Sequence, residues 1–392
     1  MPEALIVSAA RTPIGKFLGG FADVAAPELG AVAVAEAMRR GKVTADVVDE
    51  VILGNVLQAG LGQNPARQSA LKAGLPDSIA AFTVNKVCGS GLKAAMLAAQ
   101  AIRAGDADVI VAGGIENMSR APYLLLGARA GWKFGDQKVV DEMAFDGLTC
   151  PFENWPMGEA AEHIASKCGV TRADQDRFSA QSQRRASAAR ERGAFAAEIV
   201  PVTVGSGPKA KVVSQDEGVR PETTAEGLAK LRPAFRSDGS VTAGNSSMLS
   251  DGAAAVVLAS PRGAERLGSK PLARVIAYAT SGVAPKDIFI APVPAVRQVL
   301  DKAGLKISDI DLFELNEAFA AQMLACGKEL GLDEEKVNVN GGAIALGHPI
   351  GASGARVLVT LLYALEQRGK KRGLASLCLG GGNAVAMVVE RI

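Results

Sequence analysis

Short apolar segments alternate with longer alanine-rich segments along most of the chain. In the alanine-rich segments, for example residues 27–40 and 92–104, apolar residues recur at the spacing of a helix face. Between them lie short runs, such as 109–112 and 254–258, in which no polar residue alternates with the apolar ones. Strands of that kind are buried on both faces by helices. The pattern therefore predicts an α/β protein whose sheets lie between layers of helices.

The order of elements in the first part of the chain recurs in the last part. Residues 84–114 contain a strand end, a glycine-rich turn, a helix and a second strand, and residues 339–382 repeat that order. Upstream of each copy lies a short run that has an aspartate near its start and ends in asparagine, at 49–55 and at 310–316. We interpret the chain as a duplication of one α/β unit. Equivalent strand ends are then expected to meet where open α/β sheets build their sites.

Residues of about 119–249 differ in composition from the rest of the chain. This stretch has few apolar runs, holds both tryptophans and is rich in Gly, Asp, Arg and Pro. We predict that it is an inserted region. Within it, residues 172–192 predict a polar helix whose basic side chains face solvent, with phosphate binding by a few of them as the alternative.

The composition is that of a globular protein and excludes several classes of function. Hydrophobic residues make up 48% of the 392 residues and charged residues 21%, unlike a disordered or fibrous chain. The 43 basic and 41 acidic side chains leave a net charge of +2, so no nucleic-acid partner is expected. No apolar stretch is long enough for a membrane span, no secretory signal is visible, and the five cysteines lack disulfide spacing, so we expect a cytoplasmic protein without a membrane partner. The 44 glycines exceed the usual share of about 7% and predict many tight turns.

Cys88 lies in a predicted turn between a strand and a helix. It precedes a Gly-Ser-Gly sequence and the helix-forming residues 92–97, so its thiol is expected at a helix amino terminus, which favours the thiolate. The glycines also leave backbone N–H groups free to bind an oxyanion. The alternative is a small cysteine that only packs in a turn. A dinucleotide-binding loop fits the glycine spacing but not Asp106 and Asp108, which precede a strand instead of ending one.

Three further candidates follow predicted strands or turns. Of the two histidines, His163 lies in a helical stretch as a surface or packing residue, whereas His348 lies in a glycine-rich loop and is a candidate general base. Cys378 ends an apolar run next to three glycines, and it is either a buried inert thiol or an acid or base beside free amides. Asn316 also follows an apolar run, as a helix cap or as a group that holds a water or an oxyanion.

The segments that carry these candidates resemble the signatures of the thiolase family, in the family's order and over the length of the chain. They are Cys-Gly-Ser-Gly at 88–91, Asn-Glu-Ala-Phe-Ala at 316–320, the glycine-rich segment around His348 at 341–354, and Cys-Leu-Gly-Gly-Gly at 378–382. The resemblance implies a duplicated, layered αβαβα sandwich. It implies an N-terminal thiolase domain at 1–268, which includes the inserted loop and CoA-binding region at about 119–249, and a C-terminal thiolase domain at 269–392.

The resemblance also implies an activity, the reversible Claisen condensation and thiolysis of acyl-CoA through an acyl-cysteine. Cys88 would accept the acyl group while His348 takes up the thiol proton, and Cys378 would exchange a proton with the second substrate. One oxyanion site would consist of His348 and a water held by Asn316, and the other of the amides of Cys88 and Gly380. The expected reaction makes or cleaves acetoacetyl-CoA. Neither a metal nor a permanently bound cofactor is implied.

Coenzyme A and acyl-CoA are the implied substrates, and several of the family's contacts can be placed on this chain. Ser247 would meet the pantetheine arm, and Arg220 would lie near the nucleotide end. The other implied contacts are Leu148, Met157, Ala243, Ala318 and Phe319. The family further implies a homo-oligomer, either a dimer or a dimer of dimers joined near residues 123–138.

Two departures from the family pattern concern the acyl pocket. Pro156 stands where many acetoacetyl-CoA-forming members have a histidine, and residues 285–289 replace a segment that often contains Met-Gly. A longer-chain 3-ketoacyl-CoA thiolase of fatty-acid β-oxidation therefore stays an alternative. A ketoacyl synthase would lack Cys378 in its glycine-rich setting, and a non-catalytic CoA-binding relative would have lost Cys88, His348 or Cys378.

Overall fold

The computed structural model describes residues 2–392, in which strands and helices alternate as predicted. The strands are β1 (Leu5–Arg11), β2 (Gly15–Lys16), β3 (Glu50–Gly54), β4 (Ala80–Val84), β5 (Val109–Asn117), β6 (Tyr123–Leu124), β7 (Val140–Asp141), β8 (Thr149–Cys150), β9 (Trp155–Pro156), β10 (Val202–Val204), β11 (Lys211–Val213), β12 (Ser250–Ala259), β13 (Ala273–Gly282), β14 (Leu312–Leu315), β15 (Arg372–Leu379) and β16 (Asn383–Arg391). The α-helices are α1 (Ala26–Arg40), α2 (Pro65–Lys72), α3 (Ser90–Ala104), α4 (Met157–Cys168), α5 (Arg172–Glu191), α6 (Ala225–Ala229), α7 (Pro261–Leu267), α8 (Pro292–Ala303), α9 (Ala320–Leu330), α10 (Ala343–Leu346) and α11 (Ile350–Gln367).

The main sheet consists of two similar halves. The strand order is β4-β3-β5-β12-β1 in one half and β13-β16-β15-β14 in the other, and β2 pairs with β12 at the side. In both halves the pairings nearest the junction are antiparallel and the outer ones are parallel. The halves meet over two residue pairs of β1 and β13, Leu5 with Arg274 and Ile6 with Ala273. The matching order and directions confirm the predicted duplicated α/β fold.

Helices α3 and α11 form the central layer between the two halves. Residues 350–365 of α11 are buried on every side, as expected for a helix that lies between two sheets. Along β5 the side chains alternate, since Ile110 and Ala112 face the central layer, whereas Val109 and Val111 face α1 and α2. Helices α8 and α9 cover the outer face of the second half. The layers therefore follow the αβαβα order that the family resemblance implies.

The inserted region contributes no strand to the main sheet. It contains α4 to α6 and three two-stranded pairs, β6 with β7, β8 with β9 and β10 with β11. The predicted polar helix is α5, whose buried face consists mostly of uncharged polar and small residues. Among the helices of residues 2–392, none combines the length and the apolar character needed to cross a bilayer.

Candidate active site

Cys88 lies between β4 and the first turn of α3, in a segment whose glycines leave no room for side chains. A Cβ atom on Gly91 would lie 2.6 Å from the backbone nitrogen of Ala355 in α11, and one on Gly89 would overlap the Leu379 side chain at the end of β15. Both partners belong to the C-terminal half of the chain. The glycines therefore allow the Cys88 turn of one half to pack directly on the other half.

The thiol of Cys88 is half-buried, and its pKa is raised to about 12. Removal from water is the largest cause and the charge of Glu116 adds to it, whereas the backbone N–H groups of Cys88 and Gly380 lower the pKa. The expectation of thiolate character at the helix amino terminus is therefore wrong for the free protein, because burial outweighs the helix terminus. Cys88 is a neutral thiol that needs a base to become a nucleophile.

Glu116, near the end of β5, joins the elements around this turn. Its carboxylate accepts hydrogen bonds from the backbone N–H groups of Val56 (3.1 Å), Leu57 (3.2 Å) and Gly351 (2.9 Å) and from Nδ2 of Asn55 (2.6 Å). Burial raises the pKa of Glu116 to about 8 in spite of these donors. Glu116 thus fixes the loop after β3 against the first turn of α11.

His348 lies in the loop between α10 and α11, and its imidazole is buried. Its Nδ1 atom is 2.6 Å from Oγ of Ser353, and that hydroxyl donates its proton to the carbonyl of Pro349 at 2.8 Å. Because the hydroxyl proton is already used, Nδ1–H must be the donor to Ser353, which leaves the lone pair on Nε2. Burial, followed by the charge of Arg356, lowers the pKa of His348 to about 3. The imidazole is therefore neutral near pH 7 and can accept a proton at Nε2.

Asn316 follows β14 and approaches the same ring. Its Nδ2 atom lies 3.3 Å from Nε2 and 3.4 Å from Nδ1 of His348. The carboxamide oxygen, Oδ1, is buried and has no hydrogen-bond partner within the protein. A buried polar atom of this kind usually binds water or a ligand, so Asn316 is suited to hold a water beside His348.

Cys378 lies near the end of β15 and is buried. Burial raises the pKa of its thiol well above the usual value, and the nearby Cys88 thiol raises it further. The two thiols are therefore close enough to influence each other's ionisation. Gly380, two residues later, supplies the backbone N–H group that interacts with the sulfur of Cys88.

One largely apolar cavity of about 320 Å³ joins most of the predicted site residues. The predicted residues in its wall are Cys88, Leu148, Met157, Ser247, Ala318, Phe319, His348, Cys378 and Gly380. Asn316 reaches the cavity through its contact with His348. Arg220 and Ala243 are exposed and lie outside the cavity wall. The structure thus brings together both cysteines and the histidine, but it does not place Arg220, predicted near the nucleotide end of CoA, or Ala243, predicted as a further contact, in the same cavity wall.

Sequence reasoning does not identify several residues that complete the site. Ser353, which sets the tautomer of His348, has no signal beyond its position in a glycine-rich segment. Phe235 and Phe289 line the cavity, and Phe289 packs on Phe319 with ring centroids 5.2 Å apart. Aromatic residues are only 4% of the chain, and this scarcity is the signal that could have drawn attention to Phe235, whereas Phe289 belongs to the segment 285–289 that the family comparison in the sequence connects with the acyl pocket. Pro156, Ile288 and Phe289, from the two segments that depart from the family pattern, do line the cavity. Within residues 2–392, no cluster of three or more His, Cys, Asp or Glu side chains could hold a metal ion.

Comparison with known proteins gives full-length matches. The family model for "Thiolase, N-terminal domain" matches residues 4–262, and that for "Thiolase, C-terminal domain" matches residues 269–391. The chain is 57% identical to an acetyl-CoA acetyltransferase of Escherichia coli and 56% identical to one of Pseudomonas aeruginosa, with 100% of each chain covered. A crystal structure of the Bacillus anthracis acetyl-CoA acetyltransferase matches with a TM-score of 0.98 and 46% identity, over 100% of this chain and 99% of the other.

Proposed function

The chain belongs to the thiolase family and is an acetyl-CoA acyltransferase, and we propose that Cys88, His348 and Cys378 carry out its two half-reactions. The observation that supports this assignment is their position in the wall of one cavity, although they lie far apart in the sequence. The backbone N–H groups of Cys88 and Gly380 both lower the pKa of the sulfur at which an acyl group would be carried. The relatives named acetyl-CoA acetyltransferase support acetoacetyl-CoA, in preference to longer 3-ketoacyl-CoAs, as the product of synthesis and the substrate of cleavage.

In the first half-reaction, a neutral base meets a neutral thiol. Nε2 of His348 takes the proton of Cys88 as the sulfur attacks the thioester carbonyl of acetyl-CoA. The carbonyl oxygen becomes negative and is stabilised by the N–H groups of Cys88 and Gly380. CoA then leaves as the thiol with the proton that His348 held, and the acetyl group stays on Cys88.

In the second half-reaction, the thiol of Cys378 passes its proton to His348, which is neutral again, and the resulting thiolate takes a proton from the methyl group of a second acetyl-CoA. Removal of that proton forms an enolate, whose oxygen His348 and a water held by Asn316 would stabilise. The enolate carbon attacks the acetyl-cysteine, the carbon–sulfur bond breaks, and acetoacetyl-CoA is released. The thiolate of Cys88 then takes the proton held by His348, which regenerates the neutral thiol and the neutral imidazole. In the reverse direction Cys378 returns the proton to the leaving acetyl-CoA.

The size and aromatic lining of the cavity lead to a prediction about chain length. Phe319 packs on Phe289 at 5.2 Å and on Phe235 at 6.5 Å between ring centroids, and these rings limit the space for a longer acyl group. We expect kcat/KM for thiolysis to fall at least about tenfold from a four-carbon to an eight-carbon 3-ketoacyl-CoA. The measurement is the rate of thiolysis against a series of chain lengths.

The variant Phe289→Ala serves as a comparison in the same series. It removes one of the limiting rings and is expected to improve the eight-carbon substrate relative to the four-carbon one. A flat or rising profile for the unchanged protein would contradict the short-chain assignment and favour the alternative of a longer-chain thiolase.

We propose that coenzyme A enters as part of the substrate and that no cofactor stays bound. Ser247 in the cavity wall would meet the pantetheine arm, and the exposed Arg220 would meet the nucleotide end at the surface. The loop at Arg220 is held in place because its backbone N–H donates to Oε1 of Gln183 at 2.8 Å. All five cysteines are free, which supports our placement of the reaction in the reducing cytoplasm.

We propose that residues 123–138 join copies of the chain into a dimer or a dimer of dimers. Large apolar side chains in this segment are exposed, and Phe134 is 98% exposed. We expect Phe134→Asp to lower the mass of the assembly in sedimentation or light-scattering measurements. Val212→Asp alters an exposed apolar residue outside the segment and should leave the mass unchanged. An unchanged mass for Phe134→Asp would argue against this interface.

A further inference from the structure

Val87, the residue before Cys88, has a backbone conformation that is unusual for its residue type. Its φ angle is +47°, in the left-handed region. Within residues 2–392, the non-glycine residues with positive φ are Leu18, Lys42, Asn64, Val87, Asn154 and Asn338. Three of these are asparagines, which tolerate the region, and Val87 alone is β-branched, for which a positive φ is a true outlier. Strain of this kind persists only where the surroundings enforce it.

Hydrogen bonds on both sides of Val87 enforce the conformation. Oδ1 of Asn85 accepts from the N–H of Val87 at 2.9 Å. The carbonyl of Val87 accepts from Oγ of Ser90 at 2.6 Å and from the N–H of Ser90 at 3.0 Å. The Ser90 hydroxyl also accepts from the N–H of Lys86 at 2.8 Å. The chain therefore turns sharply at Val87 and enters α3 with Cys88 at the helix amino terminus.

The side chain of Val87 packs on the residue that supplies the second amide of the site. A Cβ atom placed on Gly380 would lie 3.1 Å from Cγ1 and 3.4 Å from Cγ2 of Val87, so both methyl groups face Gly380. Val87 also lines the cavity with Cys88 and Gly380. The N–H of Gly380 interacts with the Cys88 sulfur. Val87 therefore positions Cys88 through its backbone conformation and supports the backbone amide of Gly380 through its side chain.

We infer that Val87 is a positioning residue that sets the distance between the Cys88 sulfur and the N–H of Gly380; this inference rests on the proposed role of Cys88 as the acylated nucleophile. Glycine or asparagine would adopt the same φ at lower cost, but neither offers the two methyl groups that contact Gly380. Val87 keeps its branched side chain although a positive φ is unfavourable for it. Such a departure from the usual conformational preference, close to a reacting centre, indicates a functional requirement.

The test compares Val87→Gly with a matched variant, Lys42→Gly. Both replace a non-glycine residue of positive φ by glycine, but Lys42 is exposed and lies outside the cavity wall. Single-turnover acylation of Cys88 by acetyl-CoA is followed by mass spectrometry, and KM for acetyl-CoA and the melting temperature are measured alongside. We expect Val87→Gly to acylate about tenfold more slowly or worse, with KM and melting temperature little changed. Lys42→Gly should acylate at the rate of the unchanged protein.

Two further variants keep the test decisive. Val87→Thr preserves the branched shape and should restore the rate to within about threefold. If Val87→Gly does not fold, Val87→Ala, which removes only the two methyl groups, carries the same expected loss. Two results would overturn the inference about Val87 and leave the proposed function intact. One is an unchanged acylation rate in Val87→Gly or Val87→Ala, and the other is a rate for Val87→Thr as low as that of Val87→Gly. An unchanged protein that takes up no acetyl group on Cys88 would overturn the proposed function and this inference with it.

Discussion

Cys88→Ala is expected to abolish formation of the acetyl-enzyme and to lower thiolysis and condensation by at least about 10⁴-fold. Alanine cannot carry the acyl group, and Cys378, the other thiol of the cavity, is buried with a pKa raised well above its usual value. The measurement is the amount of radioactive acetyl group that stays on the protein after incubation with labelled acetyl-CoA. Ping-pong kinetics of the unchanged protein would accompany this result, since the acetyl group is held between the two half-reactions.

Cys168→Ala is the matched control for this experiment. Cys168 is half-buried, as Cys88 is, but it lies at the end of α4 and outside the cavity wall. This variant should be labelled as fully as the unchanged protein. Equal labelling of Cys88→Ala and the unchanged protein would show that the acyl group is carried elsewhere and would refute the assignment.

Much of the fold can be predicted from local pattern because the strands and helices differ in period and polarity. The apolar run at the start of β5 indicates burial on both faces, and the repeated order of elements indicates two equivalent half-sheets. The contact that joins the halves could not be predicted, because β1 and β13 pair over only two residues and nothing in either strand marks them as partners. The burial of α11 on every side likewise depends on which layers enclose it.

The sequence predicts which residues form the candidate site better than it predicts their protonation states. Glycines beside Cys88, His348 and Cys378 mark tight turns that a sequence displays directly, and the structure places all three in one cavity. The direction of the Cys88 pKa shift could not be predicted. A helix amino terminus is visible in the sequence and lowers a thiol pKa, but burial, which depends on distant parts of the chain, raises the pKa by more, and the charge of Glu116 adds a smaller rise.

The protonation of His348 shows the same limit. The sequence contains Ser353 five residues after His348, but the tautomer depends on the carbonyl of Pro349, which occupies the serine proton. The low pKa of His348 follows from burial and from Arg356 on α11. A neutral histidine and a neutral cysteine in one cavity are therefore a property of the folded protein, and they leave the lone pair on Nε2 of His348 available for the proton of Cys88.

Cys378→Ala is expected to separate the two half-reactions. In the proposed mechanism, acetylation of Cys88 needs His348 and the two backbone amides, none of which this change removes, so labelling by acetyl-CoA should persist, although at a lower rate. Condensation should fall by about 10³-fold, because His348, the other proton acceptor of the cavity, is assigned to the enolate oxygen in the proposed mechanism. The measurement combines the amount of acetyl-enzyme with the rate at which acetoacetyl-CoA forms in the same sample.

A second buried thiol provides the control for this change. Cys326 in α9 is fully buried, and its thiol donates to the carbonyl of Phe289, but it does not line the cavity. Cys326→Ala also deletes one buried sulfur, and it should keep both labelling and condensation. If Cys378→Ala condenses as fast as Cys326→Ala, another group removes the methyl proton; if Cys378→Ala is no longer labelled, Cys378 takes part in the first half-reaction as well. Only persistent labelling with lost condensation assigns the proton transfer at the methyl group to Cys378.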